Sequence, residues 1–220
     1  MQSMMPYKIK KTILFVNAGH GGIDDKGDTM TDPKAGKKTL HTNGKFYHKG
    51  SWFFEGSSNR DFALEFIASA SLAGFICVPV FEPQIDTTRL NRINWANDYS
   101  KGKKTLWLSF HSNAIANSTN PQNSAEGACC FVGSLAGVSG KLAAEIMPAV
   151  QAVFDKHGSG RRATMVHDTP LDETAKTVMP SILFELGFFD NPNNADLIIN
   201  PIFRDEVIQA IIKKLVTICQ

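Results

Sequence analysis

Three short apolar runs, each ending next to a titratable side chain, constrain this chain more than any other feature. Thr12-Ile-Leu-Phe-Val16 leads into Asn-Ala-Gly-His20-Gly-Gly22, Thr105-Leu-Trp-Leu-Ser-Phe110 into His111, and Ser181-Ile-Leu-Phe184 into Glu185. A continuous β-rich apolar run is a strand buried on both faces, as in parallel sheets covered by helices. Glycines let the chain turn sharply as it leaves such a sheet. Polar groups at the carboxyl ends of parallel strands lie where α/β folds bind ligands. For the His20 peptide alone, a structural histidine at a tight turn fits the pattern as well as a functional one.

Helical periodicity fills the intervals. Ser58–Ala73 places Phe62, Phe66, Ile67 and Ala70 on one side, and Thr87–Ser100 is amphipathic, with Asp86 or Thr87 as its cap. Val138–His157 reads as a helix interrupted or kinked near Pro148, 193–199 as a short helix, and the last helix begins at Pro201. Further short strands are predicted over Phe75–Phe81, where Pro79 marks an edge, and over 127–133 and 161–166. The predicted fold is a single α/β domain over residues 1–220, with a mixed, largely parallel sheet and helices on both faces. One insertion stands out. Asn43-Gly44, between Lys37–Thr42 and Lys45–His48, predicts a β-hairpin projecting from the domain.

Composition narrows the function by exclusion. A net charge of +2 is too mild for an electrostatic nucleic-acid surface. No apolar run approaches a membrane span, and Met1–Lys11 with the short run after it is no signal peptide, so synthesis in the cytoplasm is expected. The four cysteines form no CxxC pair and read as free thiols of a reducing compartment.

His20, His111 and Glu185 at strand ends, with Glu55 just before a helix, have the residue types of a catalytic zinc site. Two imidazoles and a carboxylate leave a fourth position for water, and a second glutamate can serve as general base. Spacing alone also admits scattered structural residues.

Four motifs in order carry a resemblance to zinc-dependent N-acetylmuramoyl-L-alanine amidases of the amidase-3 family. Asn17-Ala-Gly-His20-Gly-Gly resembles that family's Asp-Pro-Gly-His-Gly-Gly. Glu55-Gly-Ser-Ser-Asn59 resembles its Glu-x-x-x-Asn, and Ser109-Phe-His111-Ser-Asn113 its Ser-hydrophobic-His-x-Asn. Glu185-Leu-Gly-Phe-Phe-Asp-Asn191 resembles its Glu-x-Gly-Phe-x-x-Asn. The resemblance implies Zn²⁺ held by His20, Glu55 and His111, with Glu185 catalytic. It also implies peptidoglycan, a glycan strand bearing stem peptides, as substrate, cut at the amide between N-acetylmuramic acid and L-alanine. A zinc peptidase acting within the stem peptide and a non-catalytic peptidoglycan-binding module are the alternatives. A compact amidase of this kind resembles a phage or prophage endolysin acting on the cell wall, and a bacterial wall-remodelling enzyme fits as well.

The chain departs from the family at Asn17-Ala18, which stands in place of Asp-Pro, so the orienting role of that Asp falls to Asn17 or elsewhere. The stretch from His20 to Glu55 is also long. His41 and His48 read as solvated hairpin residues, and His157 and His167 as surface groups. Arg161-Arg162 reads as a solvated pair, with a substrate carboxylate as the alternative partner, and Trp52–Phe54 as wall or core.

Overall fold

The computed structural model describes residues 12–21, 30–31, 45–48, 51–82, 85–115 and 124–219. In chain order the elements are β1 (Ile13–Ala18), β2 (Met30–Thr31), β3 (Lys45–His48), β4 (Ser51–Phe54), α1 (Glu55–Leu72), β5 (Ile76–Pro79), β6 (Ile85–Asp86) and α2 (Arg89–Ser100). They continue with β7 (Thr105–Asn113), β8 (Ala128–Phe131), α3 (Val138–Lys156), β9 (Val166–His167), α4 (Asp172–Ala175), β10 (Ser181–Phe188), α5 (Pro192–Ile199) and α6 (Pro201–Ile218).

Six strands form the central sheet in the order β5-β1-β7-β10-β8-β9. The pairs β1–β5, β1–β7 and β7–β10 are parallel, and β8 runs antiparallel to β10. This is the mixed, largely parallel sheet expected from the sequence, with Pro79 on the edge strand β5. Alternation along the strands divides the core in two. Leu14, Val16, Leu108, Phe110, Ile182 and Phe184 pack with Phe62 and Phe66 of α1, Val150 and Phe154 of α3, and Ile211 of α6. Phe15 and Trp107 point the other way, onto Ile93 and Ala96 of α2 and onto Met179. Asn17, Ser109, His111 and Glu185 follow the alternation of Phe15 and Trp107, so they emerge on the α2 side at the carboxyl end of the sheet. Among the described residues no helix is long and apolar enough to cross a membrane.

Several boundaries differ from the sequence reading. Glu55 is the first residue of α1 rather than a residue before it. Ser58, the first residue of the predicted helix, lies in the first turn, while an acidic residue at the first position suits the positive end of the helix dipole. Thr88, not Asp86 or Thr87, caps α2, accepting from the Asn91 backbone N–H at 3.4 Å. Helix α3 runs on through Pro148 without interruption. Pro148 and Ala144, whose carbonyl loses its usual partner to the proline, both lie on the exposed side, where water satisfies the carbonyl. The strand predicted over 161–166 shrinks to Val166–His167.

The hairpin also shifts. Lys45–His48 forms a strand, but its partner among the described residues is Ser51–Phe54, in antiparallel register from Lys45↔Phe54 to His48↔Ser51. The Lys37–Thr42 arm and the Asn43-Gly44 turn lie outside the described residues. The hairpin therefore runs directly into Glu55, and buried Phe53 fastens it to the core by stacking on Phe189 at 5.6 Å.

Candidate active site

Four chain segments converge at the carboxyl end of the sheet. After β1 the backbone turns at His20, whose φ of 60° makes it the only non-glycine in the left-handed region among the described residues. Such a conformation costs about 1–3 kcal/mol and persists where the surroundings enforce it. Here they do. Gly19 donates its N–H to the Phe110 carbonyl at 3.0 Å, and its own carbonyl accepts from Asn59 Nδ2 at 3.2 Å. The Arg60 guanidinium, buried in α1, donates to the carbonyls of His20 (2.8 Å), Gly56 (2.9 Å) and Glu82 (3.1 Å). Gly19 must be glycine for another reason. A Cβ there would lie 2.0 Å from Cε1 of His111, so the imidazole packs flat against bare backbone.

Helix α1 begins against this loop and presents Glu55, which is buried. Its Oε2 lies 3.1 Å from His20 Nε2 and its Oε1 3.3 Å from His111 Nδ1. Asn59, one turn on, steadies Oε1 through Nδ2 at 3.1 Å. One ligand atom from each of His20, Glu55 and His111 falls within 4.8 Å of the others. On β10, Glu185 lies directly across from His111 in the β7–β10 register. Beyond it Gly187 takes a φ of 95°, open to glycine alone, and the register shifts between Glu185 and Phe188. The structure thus gathers His20, Glu55 and His111 into one cluster and lines up Glu185 beside it.

The electrostatics fit a cation. Burial would raise Glu55, yet His20, His111 and Asn59 hold it below the ordinary carboxylate range. Burial alone would lower His111. Its contacts with Glu173 and Glu55, and the charges of Glu173 and Glu185, instead push it up to about 10. Burial pushes Glu185 up to about 8; His111 pulls against this, and Glu55 and Glu173 add to the rise. Carboxylates crowded around imidazoles need positive charge, and the His111 proton supplies it. Oε2 of Glu185 and Nε2 of His111 are buried without a hydrogen-bond partner among the described residues. The donor set and the orphaned Glu185 oxygen fit a divalent metal with an adjacent base.

Glu173 is the residue that the sequence reading missed. It sits on the single-turn helix α4, is buried, and lines a cavity of ≈ 340 Å³ with His20, Thr88, Arg89, Arg92 and His111. A larger cavity of ≈ 600 Å³ lies at the amino-terminal end of β7, and no histidine or carboxylate lines it. Arg161 pairs with Asp155, as a solvated residue can, whereas Arg162 stacks over Phe188 at 5.1 Å with a buried Nε. His157 and His167 are half-buried rather than free on the surface: His157 contacts Glu206 at 3.1 Å and His167 stacks on Phe131 at 5.2 Å. His41 and the side chain of His48 lie outside the described residues. All four cysteines are free.

A mostly parallel sheet covered by helices, with a His/Glu cluster at its carboxyl end, defines the class of the molecule: an α/β protein with a candidate metal site. The chain belongs to the amidase-3 family of N-acetylmuramoyl-L-alanine amidases, whose profile matches residues 14–217. It is accordingly a hydrolase of the amide between N-acetylmuramic acid and L-alanine in the cell wall. Solved structures similar to it include an N-acetylmuramoyl-L-alanine amidase from Clostridium difficile 630, at 20% identity over 96% of this chain and 97% of that one, with a TM-score of 0.66. AmiC2 of Nostoc punctiforme shares 16% identity, covers 96% and 98%, and superposes with a TM-score of 0.68. Ami1 from Mycobacterium smegmatis matches with the same identity, coverage and TM-score. No curated protein matches the chain in sequence.

Proposed function

We propose that this amidase is a zinc enzyme in which His20, Glu55 and His111 hold the metal and Glu185 is the general base, all within one catalytic domain. The observation that carries the reading is the convergence of three ligand atoms within 4.8 Å from segments 35 and 56 residues apart in sequence. When bound, zinc polarises the scissile carbonyl and lowers the pKa of the attacking water. The protein supplies the rest. His20 and His111 present neutral nitrogens, and Glu55, fixed by Asn59, presents a carboxylate. Glu185 takes the proton of the attacking water on its unpartnered oxygen and delivers it to the departing L-alanine nitrogen. The substrate is the glycan strand with its stem peptide attached.

Mass spectrometry of digested peptidoglycan tests the reading. Digestion should create free L-alanine amino termini and no new reducing sugars. It should stop on chelation and resume when zinc is returned. New amino termini from a residue deeper in the stem would move the assignment to a stem peptidase.

A further inference from the structure

We propose that Glu173 orients His111 for metal binding, and that Asn17 stands before the Gly-His loop because Glu173 already supplies the negative charge there. The inference rests on the zinc reading above.

Three buried side chains, Arg92, Asn17 and Glu173, form a line from α2 to His111. Arg92 donates from NH1 to Asn17 Oδ1 at 2.9 Å. Asn17 donates from Nδ2 to Glu173 Oε2 at 3.0 Å and to Ser109 Oγ at 2.9 Å. The Trp107 indole N–H reaches the same Glu173 oxygen at 3.3 Å. With Oε2 held by two donors, Oε1 is left facing His111 Nε2 at 3.6 Å. That is about half an ångström longer than an ordinary N–H···O bond. Nε2 is the ring nitrogen away from Glu55, since Nδ1 makes that contact, and it is otherwise a buried orphan. A histidine that gives one nitrogen to a metal carries its proton on the other, and a carboxylate accepting that proton fixes both tautomer and ring plane. Glu173 is the group placed to do so.

The same geometry explains position 17. An aspartate there would set a second carboxylate about 3 Å from Glu173, with repulsion where Asn17 now donates. Asn17 accepts from a cation on one side and donates to an anion on the other, which an ionised aspartate cannot do. Residues 17 and 173 therefore act as one unit.

Glu173→Gln separates positioning from structure. The glutamine oxygen can still accept from Asn17 and Trp107, but its amide then meets the His111 N–H donor to donor. Zinc affinity, measured by competition with a chromophoric chelator, should fall about 10–100-fold, while circular dichroism shows the zinc-free protein still folded. In Asn17→Asp/Glu173→Gln, the aspartate accepts the glutamine amide and turns its oxygen toward His111, at the cost of the Trp107 contact, so part of the lost affinity should return. Unchanged affinity in E173Q overturns the positioning role, and a double variant no better than E173Q overturns the pairing with Asn17. A measurement on the wild type needs no variant. In the zinc-loaded protein, nitrogen NMR should show His111 protonated at Nε2, and a bare Nε2 refutes the proposal. Wild-type protein that takes up no zinc defeats the zinc reading itself, an outcome distinct from zinc-binding wild type beside an unaffected E173Q.

Discussion

At the scale of single residues, the zinc reading separates groups that would hold a metal from groups that would do chemistry, and substitutions should separate them too. His111→Ala should abolish zinc binding yet leave the sheet folded, because the strand core is apolar without it; full zinc content in that variant would remove His111 from the ligand set. Glu185→Gln keeps shape but cannot accept the water proton. It should retain zinc and lose about 10²–10⁴-fold in kcat, as expected for general acid–base help. The pKa of about 10 for His111 has its own consequence. Metal-free protein near pH 7 carries that proton, so zinc uptake must release it, and affinity must fall as pH is lowered. Calorimetry in two buffers of different ionisation enthalpy should count about one proton released from this group; none would contradict the electrostatics. His20, Glu55, His111 and Glu185 were legible in the sequence because each sits where an apolar run ends or a helix begins, in motifs of fixed order. Glu173 was not. Its helix is a single turn, and its partner Asn17 lies 156 residues away, so nothing local marks it.

Elements carry a different part of the record. Buried runs of strand and helix could be read from periodicity, because apolar burial on one or both faces imposes it. Helix starts were read less well. Ser58 has the chemistry of a cap, but the chain enters α1 directly from a strand, and the packing of Gly56 against the Gly21 carbonyl decides where the turn begins. The hairpin was displaced for a similar reason. Asn43-Gly44 is a strong local signal, whereas the pairing of Lys45–His48 with Ser51–Phe54 is anchored by Phe53 on Phe189, 136 residues on. That anchor makes the second strand part of the core. Phe53→Ala should cost about 3 kcal/mol in urea unfolding, and a loss under 1 kcal/mol would return the hairpin to a purely surface role. The cap of α5 gives a smaller test. Asn191 Oδ1 accepts from the backbone N–H groups of Asn193 (2.9 Å) and Asn194 (3.1 Å). Asn191→Ala should cost about 1 kcal/mol in the same assay.

For the whole molecule, solved amidases at 16–20% identity share this architecture, so the fold tolerates wide change in sequence. A ligand that binds only the native state stabilises it by mass action, roughly 4 kcal/mol at a thousand times its Kd. Zinc should therefore raise the melting temperature in a concentration-dependent way, and a transition unmoved by zinc would argue against a native site. Yet the loops around the cluster are tied together by the protein itself. Arg60 joins the His20 turn, the start of α1 and the Glu82 segment at one guanidinium, through hydrogen bonds that need no ion. Kinetically, then, metal capture should be a single encounter with a waiting receptacle: reloading of stripped protein should follow one exponential with a rate linear in zinc, and Arg60→Ala should add a lag.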